Sequence, residues 1–256
     1  MDCTAHSERG DPHQCRPPVG WRRARGGRPP LRAGLASRIG TVLTKAEFAI
    51  VQVRDTRRFA ALGKGAPRLH LGCGAHPKEG WVNVDVWPDP RTKPRDVGLT
   101  LINYDLARLL PLADSVCSEI YSSHFLEHLA AVEGARLLED CYRVLRPGGR
   151  LRTCVPDFAK LARAYVAGDT EHFASLYQIF AGRMGDGVTG SDTIMDAVNN
   201  SLYQFGEHRC MYDTEKLARL LSAIGFSRVT PSSFDPTADG DWDSREHFSL
   251  YIDAFK

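Results

Sequence analysis

The sequence predicts an α/β fold built on a doubly wound parallel sheet, and three observations carry that prediction. Short apolar runs that read as buried strands alternate with stretches of helical periodicity from about residue 68 to the end of the chain. One such run, Arg68-Leu69-His70-Leu71, leads into Gly72-Cys73-Gly74, where glycine allows a sharp turn and a close approach to main-chain N–H groups. The next run, Trp81-Val82-Asn83-Val84, ends on the carboxylate of Asp85. A glycine turn beside an acidic strand tip is how the carboxyl edge of a parallel sheet holds an adenosine-containing ligand. A tight turn in any α/β protein would use the same glycines, so the pattern needs support from the rest of the chain.

The elements follow in order. From Thr41 to about Leu62, Val42, Leu43, Phe48, Ile50, Val51 and Phe59 are interleaved with charged residues as in an amphipathic helix that caps the sheet, and Gly63 and Gly65 end it. Strand one is Arg68 to Leu71 and strand two Trp81 to Val86. The ten residues between Gly74 and Asp85 leave room for a helix of only a turn or so. Pro88, Pro90 and Pro94 make a loop. Strand three, Leu99 to Tyr104, ends at Asp105, and strand four, Val116 to Ser122, ends at Ser123-His124. Apolar residues at helical intervals predict a helix from about Phe125 to Leu145, stopped by Pro147-Gly148-Gly149, which turns into strand five, Arg150 to Val155. Pro156-Asp157 opens another helix through about Ala167, with Asp157 as its cap. An insertion, 168–205, carries two helices around a flexible centre at Gly185 to Gly190. A helix then runs from Asp213-Thr214-Glu215 to Ala223 and closes at Gly225, ahead of strand six, Ser227 to Thr230, and a last strand, His247 to Phe255.

Composition sets limits. The 256 residues suit one sizeable domain with decorations, 39–256, preceded by an arm, 1–38. Through Gly40 eight arginines face three carboxylates, a surplus of five positive charges on a chain whose net charge is +2, so the remainder is acidic. Rich in Arg, Pro and Gly and almost without apolar periodicity, the arm is expected to be disordered and solvated rather than a nucleic-acid grip. No apolar run approaches the roughly 18 residues that a membrane span requires. The seven cysteines sit mostly in apolar segments, which reads as a reduced, cytoplasmic protein without a disulfide framework. Oligomeric state is not legible.

Leu71-Gly72-Cys73-Gly74, Gly80-Trp81-Val82-Asn83-Val84-Asp85, Tyr121 through Leu129, Arg143 through Leu151 and Pro156-Asp157, taken in their order and spacing, resemble class I S-adenosylmethionine-dependent methyltransferases. The likeness is strongest to the type 11-like branch often encoded with polysaccharide biosynthesis genes, and it spans about Arg68 to Lys256. It implies a seven-stranded Rossmann-like sheet in the order 3-2-1-4-5-7-6, last strand antiparallel, with a helical insertion between strands five and six. It further implies S-adenosylmethionine as cofactor, with Leu71, Gly72, Cys73 and Gly74 at the methionine moiety, Asp85 on the ribose, Asp105 with Leu106 at the adenine, and Ser123 with His124 beside the methionine end. Two departures are His70, where an acidic residue is common, and His76 in place of a third glycine.

Methyl transfer from a sulfonium needs an in-line nucleophile, and a hydroxyl nucleophile also benefits from a base. His124, Glu127 and His128 fall at i, i+3 and i+4 and would share one helical face toward the strand ends. A similar run with Glu in the first place binds a divalent ion in ubiquinone-biosynthetic O-methyltransferases, but with His124 there no metal is assigned. His208 and Arg209, with Tyr212, form a second cluster for the acceptor, where Arg209 could grip a phosphate or carboxylate. The expected function is O-methylation of a small-molecule or glycan hydroxyl, with 168–205 as an acceptor lid. The alternative is a non-catalytic cofactor-binding subunit acting through a partner or nucleic acid. A nicotinamide enzyme is disfavoured, since Pro77 stands where a third glycine would complete the dinucleotide turn.

Overall fold

In the chain's computed structural model, residues 49–62, 65–87, 98–173, 176, 193–240 and 243–256 are described. The expected arm, the Pro-rich stretch from 88 and the Gly185 to Gly190 centre lie outside them. By its contacts the chain divides into units 1–41 and 42–256, and every described residue belongs to the second.

Seven strands, β1 (Arg68–Leu71), β2 (Val82–Asp85), β3 (Thr100–Asn103), β4 (Cys117–Ser123), β5 (Leu145–Pro156), β6 (Ser227–Ser232) and β7 (Ser249–Phe255), form one sheet in the order β3-β2-β1-β4-β5-β7-β6. All neighbours from β3 through β5 pair parallel, while β7 runs antiparallel to both β5 and β6, as expected. The central strands are apolar on both faces because helices cover both. Leu69, Val84, Leu101, Ile102, Ile120 and Ile252 are fully buried. Helix α1 covers 49–60, α2 is Ala131–Val144, α3 Phe158–Ala167, α4 the helical residues 170–173, α5 Ile194–Tyr203, α6 Thr214–Ile224 and α7 Pro236–Asp239. On α2 the buried face is Leu137, Leu138, Cys141 and Val144, and on α6 it is Leu217 and Leu221, each one or two turns apart. Asp157 caps α3 by accepting from the Ala159 and Lys160 amides, and Asp213 caps α6 by accepting from the Lys216 amide.

Three expectations change. The link from β1 to β2 contains turns and no helix. Its stiffening comes from the buried Asn83 side chain, whose Oδ1 accepts from the Lys78 amide at 2.7 Å and from His70 Nδ1 at 3.1 Å, while Nδ2 donates to the Lys78 and Trp81 carbonyls at 2.9 and 3.1 Å. One amide side chain thus does for this loop what helical hydrogen bonds would otherwise do. The helix expected from Phe125 breaks into a 3-10 turn, Leu126–His128, and α2, because Leu129 is extended at φ −90° and ψ 146°. The third change concerns Pro147-Gly148-Gly149, which falls inside β5 rather than before it. Cys117 faces Leu145 and Glu119 already faces Arg150, so 146–149 bulges out of the pair, with Gly148 at φ +76°.

His70 is buried against Asn83, and burial, followed by the nearby Lys78, lowers its pKa to about 3. With the folded value below the ordinary 6.5, the unfolded chain binds the extra proton between those two pH values, so stability is full above about 6.5 and falls as pH drops toward 3. Melting curves of His70→Gln should therefore show a flatter pH dependence across that window than the unsubstituted protein. An unchanged slope would remove His70 from the acid response.

Candidate active site

A cavity of about 320 Å³ opens at the carboxyl ends of β1 and β4. This is the switch point of the sheet, where β1 has β2 on one side and β4 on the other and ligands collect in such folds. Its near wall is the glycine turn, His70, Gly72, Cys73, Gly74, Ala75 and His76. Gly72 sits at φ +68°, and a Cβ there would run into the Phe125 side chain. At Gly74, φ +54°, nothing stands within 4 Å of where a Cβ would be, so the turn presents open backbone. Both positions need the conformational freedom of glycine.

Asp85 lies behind this turn. Its Oδ2 accepts from the Gly74 amide and its Oδ1 from the Val86 amide, each at 2.6 Å. Burial raises the Asp85 pKa, with the Gly74 and Val86 amides and then His128 working against the rise. The carboxylate therefore positions the glycine turn directly from the neighbouring strand.

The far wall is Tyr121, Ser123, His124, Glu127 and His128. His124 has φ +49°, its amide donates to the Cys154 carbonyl at 2.9 Å, and its Nε2 lies 2.8 Å from Ser249 Oγ. Non-glycine residues held in this region tend to sit where surrounding structure fixes them for a purpose. His124 Nδ1 is 3.4 Å from Glu127 Oε1, a contact of ion-pair range without hydrogen-bond geometry. Burial disfavours a charged His124, yet Cys154 and Glu127 lift its pKa above the ordinary value. For Glu127 burial pushes upward, but His124 and then His128 hold the carboxyl below its usual range. Both shifts favour charge on the two groups, an imidazolium beside a carboxylate.

The mouth is completed by Gln204, Glu207, Arg245 and Phe248. Backbone geometry brings the 204–210 segment here: the Glu127 carbonyl accepts from both the Arg209 and Cys210 amides, at 2.8 and 3.1 Å. His208 is thereby laid against the 3-10 turn, its ring edge-on to that of His128 at 4.9 Å. Arg209 points outward instead, half-exposed and paired with Glu133 at 2.7 Å.

Among the residues expected to matter, Gly72, Cys73, Gly74, Ser123, His124, Glu127 and His128 surround one cavity. Leu71 and Leu106 are buried in the core, and His208 is buried directly behind Glu127. Asp105 is exposed, where Oδ1 accepts from the Ala107 amide at 3.0 Å. Tyr121, Gln204, Phe248 and Ser249 were given no role by the sequence reading. Ser249 begins a strand 125 residues beyond His124, and no local spacing announces such a partner.

A family model described as a methyltransferase domain matches residues 61–153, which run from just before β1 into β5. That match covers just over a third of the chain and, with the strand order, supports an S-adenosylmethionine-dependent methyltransferase domain. Similar solved structures include a SAM-dependent methyltransferase from Archaeoglobus fulgidus, 18% identical, with 82% of this chain and 94% of that one covered at a TM-score of 0.46. Another is the S-adenosylmethionine-dependent methyltransferase of Mesorhizobium loti, 16% identical, covering 80% of this chain and 98% of that one at 0.43. A third is Haemonchus contortus phosphoethanolamine N-methyltransferase 2 in complex with S-adenosyl-L-methionine, 13% identical, covering 80% of this chain and 52% of that one at 0.43. No curated protein matches the chain in sequence. Among the described residues no helix is long and apolar enough to cross a membrane.

Proposed function

We propose that this enzyme methylates a hydroxyl of a small-molecule or glycan acceptor in the cavity between the glycine turn and the His124–Glu127–His128 wall. The observation that carries the proposal is that wall: a hydroxyl must shed its proton as the new C–O bond forms, and a carboxylate and imidazoles face the glycine turn across the cavity. The residues fit the cofactor, since at Gly74 the turn presents open backbone with no side chain within 4 Å of where a Cβ would be. S-adenosylmethionine supplies an electrophilic methyl group. Gly72, Cys73 and Gly74 would hold its methionine end together with Ser123 and His124, Asp85 its ribose, and Asp105 with Leu106 its adenine. His124, held beside Glu127 and bonded to Ser249, serves to orient the wall. His128 is then the group placed to take the hydroxyl proton. We assign the acceptor side to the insertion, 168–205, acting through Gln204 at the mouth, and to Glu207 beside it.

Incubating the full chain with methyl-labelled S-adenosylmethionine and sets of hydroxyl, amine and thiol acceptors tests this reading. Label should appear in an ether stable to mild acid and base, and label found only on nitrogen would overturn it. His128→Ala should reduce turnover by about 10² or more, the usual worth of a positioned base, with cofactor affinity within about threefold.

Asp85→Asn should bind S-adenosylhomocysteine about ten- to a hundredfold more weakly, since charge-assisted hydrogen bonds contribute roughly 1.5 to 3 kcal/mol. The asparagine oxygen can still accept from the Gly74 amide, so the turn keeps its support. Equal affinity by calorimetry would take Asp85 out of the cofactor site.

A further inference from the structure

Behind the cavity wall, three side chains from two distant parts of the sequence converge. Glu127, His128 and His208 each offer a ligand atom, and these atoms all lie within 4.8 Å of one another. Glu127 and His208 side chains are 1% and 3% exposed. Neither Glu127 oxygen has a hydrogen-bond partner, and neither does His208 Nε2. His124 stands beside Oε1 at ion-pair range only, and Oε2 and His208 Nε2 at that depth cost free energy unless something answers them.

The hydrogen bond on the opposite side of His208 says what that something is. His208 Nδ1 lies 2.8 Å from the Ser201 carbonyl, which can only accept, so Nδ1 carries the proton. In the neutral ring Nε2 is then a bare lone pair, and it points at Glu127 Oε1 4.0 Å away. Two acceptors face each other there, and His124 Nδ1, 3.4 Å from Glu127 Oε1, makes no hydrogen bond to it. A backbone carbonyl fixing Nδ1–H while Nε2 stays free is the outer-shell arrangement of metal-bound histidines. His128, at the rim, borders the cavity and closes the third side.

We propose that Glu127, His128 and His208 hold a divalent transition-metal ion of the zinc type, with a coordination position left open toward the cavity. Two imidazoles and one carboxylate select such an ion over magnesium or calcium, which prefer all-oxygen ligands. Three protein ligands are the number that leaves a zinc site open for a substrate oxygen. Bonds of roughly 2.0 to 2.1 Å in a tetrahedral site put ligand atoms about 3.3 Å apart, so the present spread closes by small side-chain rotations. With the ion bound, His128 acts as a ligand rather than as proton acceptor, and the acceptor oxygen is acidified by coordination. That role rests on the hydroxyl reading above, whereas the binding itself does not.

The test uses the full chain, stripped by chelator and titrated with Zn²⁺ in a calorimeter, with S-adenosylhomocysteine titrated in a parallel run. One equivalent of Zn²⁺ should bind, and His208→Asn and His128→Asn should each weaken it at least tenfold in folded protein. Should those variants fail to fold, Co²⁺ added to the unsubstituted protein decides: visible bands of a four- or five-coordinate nitrogen and oxygen site are expected. A thiolate charge-transfer band would instead place the ion on a cysteine and overturn the proposal. So would the absence of Zn²⁺ binding, or equal affinity in both folded variants. If S-adenosylhomocysteine binds and Zn²⁺ does not, the metal site falls and the methyltransferase reading stands.

Discussion

Replacing Gly72 with valine should abolish measurable S-adenosylhomocysteine binding and cost the fold about 2 to 6 kcal/mol. Two independent penalties add at this position. The backbone is at φ +68°, where a β-branched residue is strained by roughly 1 to 3 kcal/mol. The new side chain would also have to displace Phe125, and overpacking of that kind costs about 1 to 3 kcal/mol. Gly148→Ala serves as the comparison, since Gly148 shares a positive φ of +76° but has nothing within 4 Å of the added atom. That variant should lose only about 1 kcal/mol for its backbone and bind as before. Denaturant titration and calorimetry of the two variants separate strain from loss of the site. Binding by Gly72→Val within threefold of the parent would show that the turn is not where the cofactor lies.

The second large effect is expected at Asn83. Asn83→Leu keeps the volume but strands the Lys78 amide, the Lys78 and Trp81 carbonyls and the His70 N–H. Each buried group left without a partner costs about 1 to 3 kcal/mol, so the loss should reach about 3 kcal/mol even if water answers some of them. Since Asn83 organises the loop that follows the glycine turn, cofactor affinity should fall alongside stability. Denaturant unfolding checks the first effect. A loss below about 1 kcal/mol would mean that the loop holds its shape without the amide.

The Asn83 result also explains where the sequence was transparent and where it was not. Strands and helices are written in local periods, so β1, the cap at Asp157 and the helix start at Asp213 were legible to within a residue or two. Strand order came from the resemblance carried by five motifs, not from any period. The β1–β2 link was misjudged because its stiffness comes from one side chain bonding across five residues and across strands, which no periodicity encodes. The break at Leu129 was hidden for a similar reason, as apolar spacing continues through it and the interruption is set by the Glu127 carbonyl bonding to 209 and 210. At the site, the wall residues His124, Glu127 and His128 stood together in one motif and could be found. The pairing of His124 with Ser249, and of Glu127 with His208, spans 125 and 81 residues and belongs to the tertiary fold alone. Arg209 illustrates the converse: adjacent to His208 in sequence, it faces the opposite way and pairs with Glu133.

The central claim is that the cavity at the carboxyl ends of β1 and β4 binds S-adenosylmethionine, and its most direct test is a calorimetric titration of the full chain with S-adenosylhomocysteine and, separately, with NAD. One equivalent of S-adenosylhomocysteine should bind and NAD should give no heat, because Pro77 leaves the dinucleotide turn incomplete. Folded protein that takes up NAD, or that gives no heat with S-adenosylhomocysteine, would contradict the account.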